Sequence, residues 1–251
     1  MIRTLIATSM TALLAYGSAI AETTAITGAK AWTGTDAGTI ENATIIIVDD
    51  RISAIGAGIR VPNNATIIEA DGKWVTPGII AAFTRTGIVE VGAEDTTNDT
   101  SAAASPSSAS LLASDGFNPA SAVLPVTRLE GVTQVVVAPS HATSMIAGQG
   151  FIADTSGEVN SISNPAAFML IDLGEGGAGY AGGSRPAAWA TFRAAVRDAR
   201  SFPEAYADGE TGDVLNRLDA QAFAPASRGN QLIVVEAARA SDLRKIIELK
   251  R

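Results

Sequence analysis

His141 is the single histidine of this chain, and there is no cysteine. Thiolate chemistry and cysteine ligation are therefore excluded, and acid–base work falls to His141 and to carboxylates. His141 stands in Ala138-Pro139-Ser140-His141, just beyond an apolar run at 132–138. It is either a catalytic candidate at a strand end or a solvated loop histidine. Glu236 follows another apolar run, at 231–235, and is either a second catalytic candidate or the ion-pair partner of Arg239. Asp172 closes a third run and is the weaker carboxylate. Oxygen donors of this kind suit a hard cation better than zinc. Gly174-Glu175-Gly176-Gly177-Ala178-Gly179 matches G-x-G-x-x-G. A dinucleotide fingerprint should open a helix directly and meet an acidic residue after the next strand, whereas Asp198 falls inside a helical pattern. A flexible Gly-rich loop at 174–183 is the preferred reading, with no nucleotide cofactor.

The elements that must position these residues come in two styles. Residues 25–75 alternate short apolar runs with turn residues, which predicts a small all-β layer. Runs 44–48 and 51–55 flank Asp49-Asp50 as a two-residue hairpin, a turn that demands positive φ. After Pro77-Gly78 the continuous apolar run 79–83 reads as a strand buried in a parallel sheet, followed by strands at 132–138, 167–173 and 231–236. A helix over 186–202 places Trp189, Phe192, Val196 and Ala199 on one stripe with Asp198 opposite, Ser184 as its cap and Pro186 in its first turn. A last helix begins at Ser241, with Leu243, Ile246 and Ile247 on one face. The tract 94–116, rich in Ser, Ala, Thr and Asp, reads as a mobile loop over the strand ends or a disordered insertion.

The fold class is α/β: a small N-terminal β-sandwich-like domain (22–76) joined to a parallel (β/α) TIM-type barrel (77–251). That barrel is incomplete, because a full one needs about 250 residues and roughly 170 follow the hinge. The sequence stops at Lys250-Arg251 inside a helical pattern, as the N-terminal part of a longer protein would. Residues 1–21 combine Arg3, an apolar stretch and Ala19-Ile20-Ala21, the pattern of a cleaved signal peptide. The expected location is periplasmic or secreted, with no membrane span after cleavage. With 18 basic and 26 acidic residues, a formal charge of −8 and no basic run, the chain has little with which to follow a phosphate backbone. The expected partner is a small molecule, not nucleic acid.

Several pieces in order resemble the amidohydrolase superfamily: Gly38-Thr39-Ile40-Glu41-Asn42-Ala43-Thr44-Ile45, Asp50-Arg51-Ile52, Ala70-Asp71-Gly72-Lys73, Val75-Thr76-Pro77-Gly78-Ile79-Ile80 and Gly131-Val132-Thr133. Gly148-Gln149-Gly150 is similar to an element of exported, imidazolonepropionase-like members, where it follows the second strand. The resemblance implies hydrolysis of carbon–nitrogen bonds other than peptide bonds, on a divalent metal of the zinc type. It also implies His-x-His on the first barrel strand, where alternate residues point the same way and converge on one ion. Phe83 and Arg85 occupy those two positions here, and neither can ligate. A second motif, V-H-A-H-R-A, reads here as Val235-Glu236-Ala237-Ala238-Arg239-Ala240, so Glu236 and Ala238 stand where it has histidines. Leu173-Gly174-Glu175 is similar to the family's L-G-E-N, which makes Glu175 the retained candidate metal ligand, against a plain loop carboxylate. The expectation is thus an amidohydrolase-like hydrolase with a degenerate, altered or absent metal site. The alternative is a pseudoenzyme that binds a ligand or a protein.

Overall fold

A computed structural model describes residues 22–207 and 212–249. The signal segment expected at 1–21 lies outside the described residues. The chain divides into two compact units, Met1–Pro77 and Gly78–Arg251.

The first unit is one five-stranded sheet. Strands β1 (Thr23–Trp32), β2 (Thr39–Val48) and β3 (Arg51–Ala57) pair antiparallel, while β4 (Thr66–Glu69) and β5 (Trp74–Val75) pair parallel to β1. A sandwich would need a second sheet, and the described residues supply a single one. Period-two side-chain alternation buries Ala25, Ala29 and Ala31 of β1, and Ile45 packs with Ala31 and Ala43. The hairpin between β2 and β3 has φ of 47° at Asp49 and 62° at Asp50, the left-handed pair such a turn requires.

The second unit is a half-barrel with strand order β10-β9-β8-β7-β6. Its strands are β6 (Ile79–Thr84), β7 (Val132–Val137), β8 (Ile146–Asp154), β9 (Ile162–Asp172) and β10 (Leu232–Glu236). β6 pairs parallel to β7 and β9 parallel to β10, but β8 runs antiparallel between β7 and β9. The expected purely parallel sheet is thus interrupted, and Gly148-Gln149-Gly150 lies inside β8 instead of in a connection. Two glycines hide that strand from propensity. They are there because backbone comes close: a Cβ on Gly148, at φ +123°, would lie 2.8 Å from the Leu111 carbonyl oxygen.

Run 79–83 also departs from expectation, because β6 is an edge strand and Ile79 and Ile80 are exposed. Helix α1 (Val123–Leu129) precedes β7, and α2 (Glu175–Tyr180), α3 (Arg185–Arg200) and α4 (Arg217–Ser227) connect β9 to β10, after which comes α5 (Ala240–Glu248). Ser184 caps α3 through the Ala187 amide at 3.3 Å, and the Trp189, Phe192 and Ala199 stripe is buried against Met169 and Ile171 of β9. Asp198, expected opposite that stripe, is itself buried. It accepts the Val214 and Leu215 amides at 2.9 and 3.1 Å, which explains a carboxylate inside the unit.

The tract 94–116 is neither disordered nor loose. Ala109 is fully buried, the Gln149 amide bonds the Leu111 carbonyl at 2.8 Å, and the buried Asp219 carboxylate at the start of α4 accepts the amides of Ser108 and Ser110. A low-complexity composition has here been ordered by one charged anchor reached from 109 residues away.

Candidate functional site at the strand ends

The C-terminal ends of parallel strands collect the groups that could act, since loops there are free of the ladder. Four sequence candidates fall in this region. Phe83 is the penultimate residue of β6 and Arg85 follows it, His141 lies beyond β7, and Glu236 ends β10. The structure brings three of them together.

His141 Nε2 lies 3.0 Å from Glu236 Oε2, and Nδ1 lies 3.2 Å from the Ser144 carbonyl oxygen. Its side chain is only 11% exposed, and the ring stacks on Tyr180 at the end of α2, with centroids 6.0 Å apart. The solvated-loop reading of His141 is therefore wrong, and Glu236 takes the histidine, not Arg239, as its partner. Both ring nitrogens face acceptor oxygens, so this imidazole points no lone pair into open space.

Arg85 donates from Nε to Ser140 Oγ at 2.9 Å and from Nη1 to the Thr84 carbonyl at 3.3 Å. Burial pushes its guanidinium below the ordinary arginine value, and the negative charge of Glu236 pulls the other way. A guanidinium stays protonated through such a shift, so a fixed cation stands at this end of the half-barrel. Phe83 has φ +60°, where a bulky residue is strained by roughly 1–3 kcal/mol. The strain coincides with the break in β6–β7 register between Ala81 and Thr84 and sets the Phe83 ring against Phe168, centroids 6.3 Å apart.

Two further candidates do not join this cluster. Glu175 begins α2 with its side chain 93% exposed, 3.7 Å from Arg185. Ala238 is exposed between β10 and α5. The expected Gly-rich loop at 174–183 is in large part α2. A Cβ on Gly176 would sit 2.3 Å from Asp172 Oδ2, and one on Gly177 would sit 1.8 Å from the Asp172 carbonyl oxygen. Those glycines let the helix lie on the end of β9, and Asp172 is spent holding the Gly174 amide at 2.6 Å.

The donor set does not fit the metal that the resemblance implies. Among the described residues no group of three or more His, Asp and Glu side chains is placed to hold an ion. The two nearest donors, His141 and Glu236, bond each other beside a guanidinium, which repels a cation. Ser140, Ser144, Tyr180 and Phe168 complete the site and escaped the sequence reading. Adjacency to His141 could have flagged Ser140 and Ser144. Nothing in the sequence signals Tyr180 or Phe168, which arrive through long-range packing.

No protein-family model matches the chain, and the search of curated proteins gave no match. Among solved structures, an amidohydrolase from Thermotoga maritima superposes with a TM-score of 0.75 at 21% identity, covering 90% of this chain and 61% of that one. A molinate hydrolase gives a TM-score of 0.32 at 26% identity over 47% of this chain and 24% of that one. An uncharacterized protein gives 0.44 at 16% identity over 90% and 58%. The first of these carries the fold: the described chain has an amidohydrolase-like architecture and spans about three fifths of the length of the Thermotoga maritima protein.

Proposed function

We propose that this chain is an amidohydrolase-type protein of the hydrolase class whose metal site has given way to a fixed cation. On this reading it binds a small anionic or aromatic ligand at the strand ends and does not hydrolyse a carbon–nitrogen bond on a bound metal. The observation that carries the reading is Arg85, oriented by Ser140 and Thr84 where the family's motif has a ligating histidine. Its Nη2 makes no hydrogen bond among the described residues, so a carboxylate or similar anion would meet a donor already oriented by the bonds from Nε and Nη1. A charge-assisted bond of this kind contributes about 1.5–3 kcal/mol. Phe83, 41% exposed and seated against the buried Phe168, supplies the apolar surface.

The likeness to the Thermotoga maritima amidohydrolase and the ordered motifs from Gly38 to Thr133 support descent from that superfamily, with Gly148-Gln149-Gly150 favouring an imidazolonepropionase-like branch. The likeness also supports reading the half-barrel as part of a (β/α) barrel, while Arg3, the apolar stretch and Ala19-Ile20-Ala21 are what support residues 1–21 as an export signal. A mature periplasmic chain beginning at Glu22 is the outcome that reading requires.

The test is elemental analysis of the purified mature protein, calorimetry with zinc and with benzoate as a probe anion, and a lactam and amide hydrolysis panel. The reading requires sub-stoichiometric metal, no turnover, and benzoate binding weakened about tenfold or more in Arg85→Gln, the loss of one charge-assisted bond. Stoichiometric metal with turnover abolished by Glu236→Gln or Glu175→Ala would overturn it in favour of a hydrolase using carboxylate ligands.

A further inference from the structure

A cavity of about 340 Å³ opens on the α3 side of the second unit, at the lower end of the range of about 300–1,000 Å³ usual for small-molecule sites. Its walls are the loop at 105–108, the turn at 143–146 that leads into β8, one face of α3 and the segment that enters α4. None of them belongs to β6, β10 or α5. The cavity is also distinct from the strand-end cluster. Period-two alternation along β9 sends Met169 and Ile171 toward α3, and Phe168 and Leu170 to the other face of the sheet, where Phe83 rests on Phe168. Met145 and Ile146, which line the cavity, pack with the α3 group. Ser144 alone belongs to both places, since it lines the cavity while its carbonyl oxygen meets His141.

The lining is rich in hydroxyls, and their existing partners restrict what a ligand can be. Ser105 Oγ accepts the Ser107 amide at 3.1 Å, Ser107 Oγ accepts the Asn216 side-chain amide at 3.2 Å, and Ser144 Oγ accepts the Ile146 amide at 3.1 Å. Each of these hydroxyls serves as an acceptor and keeps its own hydrogen, which finds no acceptor among the described residues. The Thr143 and Thr191 hydroxyls make no hydrogen bond among the described residues and can both donate and accept. Asp219 is the one charged residue in the lining, and its oxygens are taken by the Ser108 and Ser110 amides, the Ser110 hydroxyl and Asn216. An anion would approach that buried carboxylate with no lining Lys or Arg to offset the repulsion. A cation would find serine oxygens already engaged by N–H donors. An uncharged ligand carrying several oxygens meets neither obstacle, and Met145, Ile146 and Leu215 can take its C–H faces. We propose that this cavity is a second binding site, for a neutral polyol up to the size of a monosaccharide.

The test is calorimetric titration of the full mature chain with D-glucose and with myo-inositol, and with inorganic phosphate and methylammonium as charged competitors. A ligand of about a dozen non-hydrogen atoms at ordinary ligand efficiency binds in the millimolar range. The expected result is saturable binding of at least one of the two polyols, undisturbed by either charged competitor. Thr191→Phe, which fills the cavity from α3, should weaken that binding at least tenfold. Thr143→Val and Thr191→Val keep the side-chain shape and remove hydroxyls that bond nothing in the described chain, so each should weaken it by about threefold to tenfold, the loss of one neutral hydrogen bond. Far-UV circular dichroism and the urea midpoint check that the variants fold, and the two valine variants serve if the phenylalanine one does not. Arg85→Gln should leave the polyol dissociation constant unchanged, which separates this site from the strand ends. Absence of binding by both polyols overturns the proposal. So does binding that the threonine variants leave unmoved, that Arg85→Gln abolishes, or that phosphate or methylammonium displaces.

Discussion

Replacing Asp219 by alanine should destabilise the second unit by about 3–5 kcal/mol. The carboxylate is 3% exposed and accepts the Ser108 amide at 3.1 and 3.0 Å, the Ser110 amide at 2.9 Å, the Ser110 hydroxyl at 2.8 Å and the Asn216 side chain at 3.1 Å. The hydroxyl and the Asn216 amide can turn toward water once the carboxylate is gone. The two backbone amides cannot, and a stranded buried donor costs about 1–3 kcal/mol. A bond to a charged acceptor is itself worth about 1.5–3 kcal/mol, and the terms overlap, which sets the range. Urea unfolding followed by Trp189 fluorescence isolates this unit, because Trp189 is buried in α3 while Trp32 and Trp74, both in the first unit, are exposed. With a urea slope near 2 kcal/mol per molar, the midpoint should fall by about 2 M. Asp219→Asn keeps one acceptor oxygen but turns an amide group toward donors, so it should lose roughly half as much. Amides of Ser108 and Ser110 should lose exchange protection in step with the midpoint. A loss below about 1 kcal/mol in the alanine variant would refute the claim that this carboxylate orders the loop at 94–116.

Two other outcomes follow from side chains of the second unit. A double-mutant cycle of His141→Ala and Glu236→Gln, read by urea unfolding, should give a coupling of about 0.5–1 kcal/mol, small because the Glu236 side chain is 40% exposed; zero coupling would mean that the contact does nothing. Burial, aided by the charge of Asp198, raises the Tyr206 phenol above its usual 10.0, so the folded chain keeps a proton that the unfolded chain releases. That contribution is complete below pH of about 10 and is lost as pH rises through the folded value, so stability should fall on the alkaline side. Tyr206→Phe should remove that part of the slope at a cost of about 1 kcal/mol for the bond to the Leu215 carbonyl, 3.0 Å long in the structure.

What the sequence made legible was whatever is encoded locally. The hairpin at Asp49-Asp50, the cap at Ser184 with its buried stripe, and the strand at 231–236 depend on neighbours within a few residues. What escaped depends on distant partners. β8 carries two glycines because Leu111 and Phe168 crowd them, so its strand signal is weakest where its packing is tightest. α4 is alanine-rich with Pro225 inside and lacks a bulky periodic stripe, yet Phe223 and a wall of small residues bury it. In the site, the types and positions of His141 and Glu236 were readable, but their mutual bond spans 95 residues and only the fold brings it about. Glu175 misled because motif position was taken for direction, whereas its side chain points to solvent.

The cluster at the strand ends also has a mechanical role. Arg85 reaches from the end of β6 to Ser140 beyond β7, and His141 reaches from beyond β7 to the end of β10, passing over β8 and β9. A sheet with free edges has little to fix its curvature at the ends of its strands, since ladder bonds leave adjacent strands free to vary in twist by tens of degrees. The His141–Glu236 tie joins the non-adjacent ends of β7 and β10, and the Arg85–Ser140 tie joins the neighbouring ends of β6 and β7; together they reduce that freedom, much as an ion bound by several strand ends would. What such a tie presents at the strand ends includes Arg85 Nη2, which makes no hydrogen bond among the described residues. On the proposed function, a site built this way would keep the strand ends in register for ligand binding, so that the stability of the half-barrel and the binding of an anion would depend on the same three side chains, Arg85, His141 and Glu236.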